Sequence, residues 1–381
     1  MRRALDLAER GRGTVSPNPL VGCVLVAGDE IVGEGWHAAA GGPHAEVVAL
    51  RAAGERAAGA VVYVTLEPCA HIGRTGPCVD ALLESGVAEV VAALPDPNPT
   101  AAGGADMLRA AGVAVRLGVL ADEAAQQNRV FLHNLATSRP FVVLKSAVSL
   151  DGRIAAADGT SRWLTGNAAR ERAHRLRAQV DAVLVGSGTA LTDDPRLTVR
   201  LPDQAATQPL RVVLDGRGRV PATARVFDGE APTLLFTALG AASATRRALG
   251  EKIEARSVDV VAVPTAPGGA LDVHAILTEL YRREVRCLLI EGGATVAGSF
   301  LRAGLVDELV CHLAPLLLGE RGRPLLTGDL VGTLAEAWRF EPVDVEVVGP
   351  DVLLTLAPAD RPQSVPDPPA APVAADRHTS P

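Results

Sequence analysis

The sequence predicts an α/β protein with two domains. Its 381 residues exceed the size at which a single hydrophobic core stops growing. Between residues 20 and 119, short apolar runs alternate with helix-like segments that end in glycine. This alternation is typical of a largely parallel sheet. A second series of the same kind follows a proline at position 140. We therefore expect one domain at residues 1–139 and another at residues 140–358.

The predicted elements follow one another in the order that such folds require. The first series contains LVGCVLVA, HAEVVALRAAG, VVYVTL, CVDALLESG, VAEVVAAL, ADMLRAAG and VAVRLGV, and one helix from 121 to about 135 closes it. The second series runs from FVVLKSAVSL and NAARERAHRLRAQ to VRCLLIEGG, ATVAGSFLRAG and DELVCHLAP. Residues 359–381 are rich in proline and alanine with almost no large apolar side chains, so we expect a disordered tail.

The composition argues against several kinds of partner. A net charge of −7 disfavours nucleic-acid binding, which needs clustered basic residues. The longest apolar runs are too short to cross a membrane. Asp6 and Glu9 interrupt the N-terminal apolar residues, which excludes the continuous core of a signal peptide. We therefore expect a cytoplasmic protein, in which the five scattered cysteines would not form disulfides.

Three residues form a candidate metal site, and a fourth is a candidate for proton transfer beside it. His44 and Glu46 stand at the start of a predicted helix, whereas Cys69 follows the strand VVYVTL and Cys78 begins the next helix. Nitrogen and sulfur donors from His44, Cys69 and Cys78 suit a zinc ion with an open fourth position for water. Glu46, which is not a ligand, would transfer protons between that water and a leaving amine.

Other interpretations of these residues stay open at this point. Both cysteines could be ordinary buried side chains. A structural zinc is a second alternative, with His71 as the fourth ligand that such sites normally have. The pattern His-x-Glu with Pro-Cys and a second cysteine is that of zinc nucleobase deaminases. Those enzymes usually have Cys-x-x-Cys, whereas eight residues separate Cys69 from Cys78.

Longer motifs resemble a known family. PNPLVGCVLV, GPHAEVVAL, TLEPCAHIGRTGPC and DPNP resemble the deaminase half of the bifunctional deaminase/reductase family of riboflavin biosynthesis, in which the long cysteine spacing is usual. LKSAVSLDGRIA, SRWLTG, LVGSGTALTDDPRLTVR and IEGGATVAGSFLRAGLVDEL resemble the reductase half. The resemblance spans residues 2 to about 357. It implies an N-terminal cytidine-deaminase-like α/β/α domain and a C-terminal dihydrofolate-reductase-like α/β domain.

The resemblance implies two successive reactions on one small molecule. A zinc-dependent hydrolysis removes an amino group from 2,5-diamino-6-(5-phosphoribosylamino)pyrimidin-4(3H)-one, and NADPH then reduces the ribosyl side chain to ribityl. In this scheme His44, Cys69 and Cys78 bind zinc and Glu46 donates the proton. We expect a homo-oligomer without nucleic-acid or membrane partners. A deaminase of another aminated pyrimidine or purine and a binding protein with a structural zinc stay open as rival functions.

The resemblance also assigns binding residues. The deaminase pocket is assigned to Asn18, His37, His71, Arg74, Asp96 and Asn98. NADPH is assigned to Ala147, Trp163, Thr189, Asp193 and the turn Gly293, Ala294, Thr295, Val296, Ala297, Gly298 and Ser299. The substrate of the reductase is assigned to Lys145, Ser161, Arg177, Leu197, Arg200 and Glu291.

Some of these assignments also have physical support from the residues themselves. The guanidinium of Arg74 suits a phosphate, and a solvated loop residue is the less favoured alternative. Lys145 stands in an apolar strand, where an unpaired ammonium is costly, and Lys252 is the only other lysine. The Gly-Gly turn before Ala294 offers free N–H groups to a phosphate, but it is not a Gly-x-Gly-x-x-Gly fingerprint. Gly76 stands where the family commonly has proline, and we expect it to loosen the loop without displacing Cys78. No general acid for the reduction stands out.

Overall fold

The computed structural model describes most of the chain. The described residues are 1–71, 76–201, 207–255, 257–328 and 331–359. Arg74 and the predicted tail beyond residue 359 lie outside them, so those two predictions stay untested. We refer to residues 1–139 as the N-terminal part and to residues 140–359 as the C-terminal part.

The N-terminal part folds around one mixed sheet. Its strands are β1 (Gly22–Ala27), β2 (Glu30–Trp36), β3 (Val61–Leu66), β4 (Glu89–Leu94) and β5 (Ala114–Leu117). Its helices are α1 (Arg2–Ala8), α2 (Ala45–Ala53), α3 (Cys78–Glu84), α4 (Gly104–Ala110), α5 (Ala121–Gln127) and α6 (Arg129–Thr137), with 3₁₀ turns at Glu9–Gly11 and Gly54–Ala57. The strand order is β2-β1-β3-β4-β5. The α/β class is therefore confirmed.

The expectation of a largely parallel sheet is wrong for the first strands. β1 pairs antiparallel with both β2 and β3, and only the β3–β4 and β4–β5 pairs are parallel. The sequence reading missed β2, because Gly33 and Gly35 and two glutamates dilute its apolar pattern. Ala27 pairs with Glu30, so the hairpin turn is tight, and Gly28 adopts the positive φ of 60° that such turns require.

The helix predicted from 121 to about 135 is two helices. It breaks between α5 and α6 at Asn128, whose φ of −95° and ψ of 16° leave the helical region. The buried amide of Asn128 accepts a hydrogen bond from Leu20 N at 2.8 Å and donates one to Leu20 O at 3.0 Å. Side-chain bonding of asparagine to the backbone competes with helix formation. The Asn128 side chain, at the break, therefore links the two helices to the segment that precedes β1.

The C-terminal part contains a larger sheet. Its strands are β6 (Phe141–Ser149), β7 (Arg153–Ala155), β8 (Ala182–Gly186), β9 (Leu210–Leu214), β10 (Thr233–Ala238), β11 (Val258–Val263), β12 (Cys287–Glu291), β13 (Glu308–Ala314), β14 (Arg323–Pro324), β15 (Phe340–Val348) and β16 (Asp351–Pro358). Its helices are α7 (Asn167–Arg177), α8 (Ser187–Asp193), α9 (Ala242–Ala248), α10 (Gly250–Glu254), α11 (Val273–Arg282) and α12 (Ala294–Arg302), with 3₁₀ turns at Arg225–Phe227, Leu239–Ala241 and Leu334–Glu336.

The order of the large sheet is β11-β10-β9-β8-β12-β6-β13-β16-β15, and β7 pairs separately with β14. The strands from β11 to β13 are parallel, whereas β16 and β15 pair antiparallel at one edge. The parallel strands are buried on both faces: Val142 and Leu144 belong to one apolar cluster, and Phe141 and Val143 belong to the other. This pattern explains why these strands read as continuous apolar runs.

The two parts contact each other directly. Arg129 forms an ion pair with Glu308 at 2.8 Å, and Arg139 donates two hydrogen bonds to Asp307 at 2.7 and 2.8 Å. A Cβ on Gly13 would lie 2.2 Å from Ala178 O, so the backbones approach closely there. Among the described residues, no helix has the length and apolar character needed to cross a membrane.

Candidate active sites

A cavity of about 520 Å³ lies where the chain leaves the ends of β3 and β4. Cys69 follows β3 and Asp96 follows β4, and the carboxyl ends of such parallel strands meet at one edge of the sheet. The predicted residues that line this cavity are Asn18, His37, His44, Glu46, Cys69, His71, Asp96 and Asn98. The structure thus brings together the described residues that were assigned to the deaminase pocket.

His44, Cys69 and Cys78 form a compact cluster. His44 Nδ1 lies 3.1 Å from Cys78 Sγ and 3.5 Å from Cys69 Sγ, and the three ligand atoms all lie within 4.8 Å of one another. Donors bound at about 2.1–2.3 Å and at tetrahedral angles to one zinc ion are about 3.6 Å apart. The donor set therefore fits zinc. Within the described residues this cluster contains no fourth His, Cys, Asp or Glu, and His71 is not part of it.

Hydrogen bonds within the cluster perturb its titration. The Cys78 thiol donates to Cys69, which lowers the pKa of Cys69 and raises that of Cys78. The contact with Cys69 raises the pKa of His44. Glu46 is buried, with 3% of its surface exposed, and burial raises its pKa to about 7. His44, Cys69 and the buried carboxyl group of Glu46 thus line the cavity, and the buried Cys78 completes the cluster behind them.

The position of His44 and Glu46 follows from the packing of α2 on β2. His44 is the residue before the helix, with extended backbone at φ −70° and ψ 158°, and Glu46 lies in the first turn. Both side chains therefore reach the same cavity, although residues two apart on a regular helix point to different sides. A Cβ on Gly35 would lie 2.4 Å from Ala45 O, so glycine is required for this close approach.

Glu67 joins the two loops that carry Cys69 and Asp96. Its carboxylate accepts hydrogen bonds from Asp96 N at 3.0 Å and from Ala105 N at 2.8 Å. Burial raises the pKa of Asp96 to about 6. Glu67 was not among the residues predicted from the sequence, although it stands inside the TLEPC motif that also contains Cys69.

His37 links Asn18 to the segment that precedes His44. Its Nδ1–H donates to Pro43 O at 3.1 Å, which leaves Nε2 to accept a hydrogen bond from Asn18 Nδ2 at 3.0 Å. Burial lowers the pKa of His37, so the neutral ring that this pattern requires is favoured. The His37 and His44 rings meet edge to face at 5.7 Å.

A second polar cluster lies beside the middle of β6 and the carboxyl end of β12. Lys145 and Glu291 are register partners on these adjacent parallel strands. Arg177, from the end of α7, donates to both Glu291 oxygens at 2.5 and 2.7 Å and to Thr198 O at 3.1 Å. Arg200 contacts Thr198 Oγ1 at 3.0 Å. The structure therefore brings together four of the six residues assigned to the reductase substrate.

The charge of Glu291 is stabilised by two basic residues of this second cluster. Burial alone would raise the pKa of Glu291, but Arg177 and then Lys145 outweigh it and hold that pKa at about 2. Burial lowers the pKa of Lys145, and Glu291 partly opposes that effect. Only 14% of the Arg177 side chain and 11% of the Glu291 side chain are exposed. The lysine in an apolar strand therefore has an opposite charge on the adjacent strand, which lowers the cost of its burial.

The turn assigned to NADPH lies against Thr189. Gly292 and Gly293 have φ values of 101° and 92°, which glycine readily adopts. A Cβ on either glycine would lie 3.5 Å from Thr189 Oγ1. α12 begins at Ala294 directly after this turn, so its first N–H groups lack helical partners and could receive a phosphate.

Ala147 lies on β6 and Asp193 ends α8, whereas Trp163, Ser161 and Leu197 lie on connecting segments. Trp163 is 68% exposed and stacks on the Arg170 guanidinium at 4.3 Å. Ser161 stands two residues before it, and Arg162 donates to Asp193 O at 2.5 Å, which ties this loop to α8. Leu197 is buried within the apolar cluster of the sheet, so a ligand could reach its backbone only.

Two histidines near the cluster of Lys145, Arg177 and Glu291 were not predicted as site residues from the sequence. His174 accepts a hydrogen bond from Arg200 N at 3.3 Å, and burial lowers its pKa to about 4. His312 on β13 pairs in register with Ala147 and is 1% exposed; burial lowers its pKa to about 3. Isolated histidines in an apolar strand and an arginine-rich helix carry no pattern that marks them.

Two family models match this chain. The model of the RibD C-terminal domain matches residues 140–354, and that of the cytidine and deoxycytidylate deaminase zinc-binding region matches residues 1–94. The riboflavin biosynthesis protein RibD of Escherichia coli K12 is 44% identical over 94% of this chain and 98% of its own length. The RibD protein of Mycobacterium tuberculosis H37Rv is 45% identical over 93% of this chain and 96% of its own.

Solved structures agree with these matches. A structure of Acinetobacter baumannii RibD has a TM-score of 0.83 and 41% identity and covers 94% of this chain and 97% of its own. A Thermotoga maritima structure, described as a diaminohydroxyphosphoribosylaminopyrimidine deaminase/5-amino-6-(5-phosphoribosylamino)uracil reductase, has a TM-score of 0.81 and 35% identity, with coverage of 94% and 97%. Sequence, fold and domain order thus agree over nearly the full length, and the chain belongs to the RibD family of riboflavin biosynthesis proteins.

Proposed function

We propose that the two clusters divide the two reactions of the family between them. As a RibD family member the chain is a zinc-dependent deaminase and an NADPH-dependent reductase of riboflavin biosynthesis. The observation that carries our assignment of the deamination is the His44, Cys69 and Cys78 cluster, two of whose members, His44 and Cys69, line one cavity together with the buried Glu46. The substrate class is a phosphoribosylaminopyrimidine.

In the deamination, His44, Cys69 and Cys78 would hold zinc, which activates a water molecule for attack on the pyrimidine when bound. Glu46 would accept the proton of the attacking water at a carboxylate oxygen and deliver it to the leaving amine nitrogen. Asn18, His37, His71, Asp96 and Asn98 offer amide, imidazole and carboxyl groups to the polar edges of the ring. Arg74 completes the proposed set as a phosphate contact.

In the reduction, Lys145, Arg177, Arg200 and Glu291 would bind the ribosyl phosphate chain. Their charges suit this role, because arginine recognises phosphate and a carboxylate accepts hydrogen bonds from hydroxyl groups. Ser161 and the Leu197 backbone would complete this subsite. NADPH supplies the hydride, and the protein positions it. Its proposed contacts are Ala147, Trp163, Thr189, Asp193 and the segment Gly293, Ala294, Thr295, Val296, Ala297, Gly298 and Ser299.

The remaining features of the proposal concern organisation. We place the boundary between the deaminase and reductase domains at residues 139 and 140, just before β6. We propose that the enzyme is cytoplasmic and homo-oligomeric and that it has no nucleic-acid or membrane partner. The net charge of −7 supports the absence of a nucleic-acid partner.

Reciprocal variants test the division of labour. Glu46→Gln should stop ammonia release from the diaminopyrimidine ribotide and leave NADPH oxidation with the deaminated ribotide unchanged. Lys145→Met should do the reverse. Lys252→Met, which changes the other lysine away from both clusters, is the control and should affect neither reaction. If either site variant impaired both reactions equally while Lys252→Met did not, the division would be wrong.

A further inference from the structure

One lining residue of the deaminase cavity comes from the C-terminal part. Glu284 lines this cavity, although it lies in the turn between α11 and β12. Every other described lining residue lies at or before Phe131 in the chain. The C-terminal part therefore contributes a charged side chain to a cavity whose metal cluster and carboxyl group belong to the N-terminal part.

Contacts on both sides of Glu284 hold its turn in place. Tyr281 Oη donates to Asn134 O at 3.4 Å, and Asn134 Nδ2 donates to Arg286 O at 3.1 Å. Asp181 accepts hydrogen bonds from the backbone N–H groups of Arg286 and its successor, both at 2.8 Å. The turn is thus bonded to α6 and to the segment before β8, which fixes Glu284 at the cavity.

The backbone of Glu284 has a conformation that glutamate disfavours. Its φ is 63°, and its N–H donates to Tyr281 O at 3.0 Å directly after α11. Glycine commonly takes this position after a helix, because a side chain crowds the backbone there. Residues held in such conformations cluster at functional sites. A glutamate at this position therefore indicates that its side chain has a use.

The carboxylate of Glu284 is available to a ligand. It is exposed, and within the described part of the chain it makes no hydrogen bond or ion pair. Glu46 is 3% exposed, so the amino group to be removed must enter first, and the ribosyl phosphate trails towards the open side of the cavity. A carboxylate there accepts hydrogen bonds from hydroxyl groups and repels phosphate.

We propose that Glu284 is a substrate-binding residue of the deaminase, supplied by the reductase domain, and that it accepts hydrogen bonds from the ribosyl hydroxyls of the ribotide. The inference rests on the proposed function of this cavity. It predicts that the deaminase site is incomplete without the C-terminal part. Repulsion between the Glu284 carboxylate and the phosphate of the ribotide directs the phosphate to the opposite side of the cavity opening, away from α11.

Two variants of the full-length zinc-loaded enzyme test the proposal. Glu284→Gly removes the carboxylate and relieves the backbone, so we expect an unchanged or higher melting temperature. Its KM for the diaminopyrimidine ribotide in ammonia release should rise about tenfold, as loss of a charged hydrogen bond predicts, with a smaller change in kcat. Glu284→Gln retains an acceptor oxygen and should give an intermediate KM. NADPH oxidation with the deaminated ribotide should keep its wild-type kinetics.

Ser138→Gly is the matched control. Ser138 is an exposed residue after α6 with a φ of 54°, and it does not line the cavity. Its replacement makes the same backbone change and should leave the deaminase KM unaltered. A wild-type KM in both Glu284 variants would overturn the proposal, as would an equal rise in Ser138→Gly. If the wild-type enzyme itself released no ammonia from the ribotide, the proposed function would fail first.

Discussion

Replacement of Arg177 by methionine tests the electrostatics of the reductase site. Arg177 donates two hydrogen bonds to Glu291, and both side chains are nearly buried. Removal of one partner from such a pair costs about 3–5 kcal/mol, because the other charge is left buried. The fall of the Glu291 pKa from the usual 4.5 to about 2 corresponds to about 3 kcal/mol. Lys145 still faces Glu291 in the variant, so we expect the lower end of this range.

Urea unfolding of Arg177→Met, Glu291→Gln and the double variant measures this coupling. Trp36→Phe in the background confines the tryptophan signal to Trp163 and Trp338, in the C-terminal part. We expect the free energy of unfolding to fall by about 2–3 kcal/mol less in the double variant than the sum of the falls in the two single variants. A coupling below about 0.5 kcal/mol would refute the proposed electrostatics.

The pH dependence of the same pair has a defined sign. The pKa of Glu291 is depressed in the folded protein to about 2, so its contribution is present above the unfolded value of about 4.5 and is lost as the pH falls towards about 2. The stability difference between wild type and Glu291→Gln should therefore be full at about pH 7, reduced to roughly half at about pH 3 and small only at about pH 2. A difference that does not change with pH would contradict the assignment.

Three further outcomes are expected. Removal of zinc by a chelator should stop ammonia release and spare NADPH oxidation; equal loss of both would contradict separate sites. Glu46→Gln should keep its zinc by elemental analysis and lose deaminase turnover by about 10²–10⁴-fold; near-normal turnover would remove Glu46 from the mechanism. Gly35→Ala places a Cβ 2.4 Å from Ala45 O, so it should destabilise the fold by about 1–3 kcal/mol and weaken zinc binding. Gly250→Ala, with no neighbour within 4 Å, is its control, and equal effects would refute the packing argument.

The sequence predicted the deaminase cluster because its residues carry their own structural context. Cys69 follows an apolar strand, whereas Cys78 and His44 stand where helices begin. One strand end and two helix starts at the same edge of the sheet bring the three side chains together. The reductase cluster was harder to predict. Lys145 was conspicuous in its apolar strand, but its position beside Glu291 depends on the register of β6 and β12, and the ion pair of Glu291 with Arg177 depends on where α7 ends.

The errors of the sequence reading have physical causes as well. β2 was missed because Gly33 and Gly35, which let α2 approach closely, also weaken the strand pattern. The break at Asn128 depends on the distant Leu20 backbone, and local propensity does not reveal such a contact. β15 was missed because most of its side chains are exposed, so it lacks a buried apolar face. Glu284 reaches the deaminase cavity only through packing of the two parts.

The most direct test of the central claim is product analysis by mass spectrometry. The purified zinc-loaded protein is incubated with the diaminopyrimidine ribotide, with and without NADPH. Without NADPH, we expect one product in which oxygen replaces the amino group, together with free ammonia. With NADPH, that product should gain two hydrogen atoms in its ribosyl chain. An unchanged ribotide in both reactions, or reduction without deamination, would contradict the account.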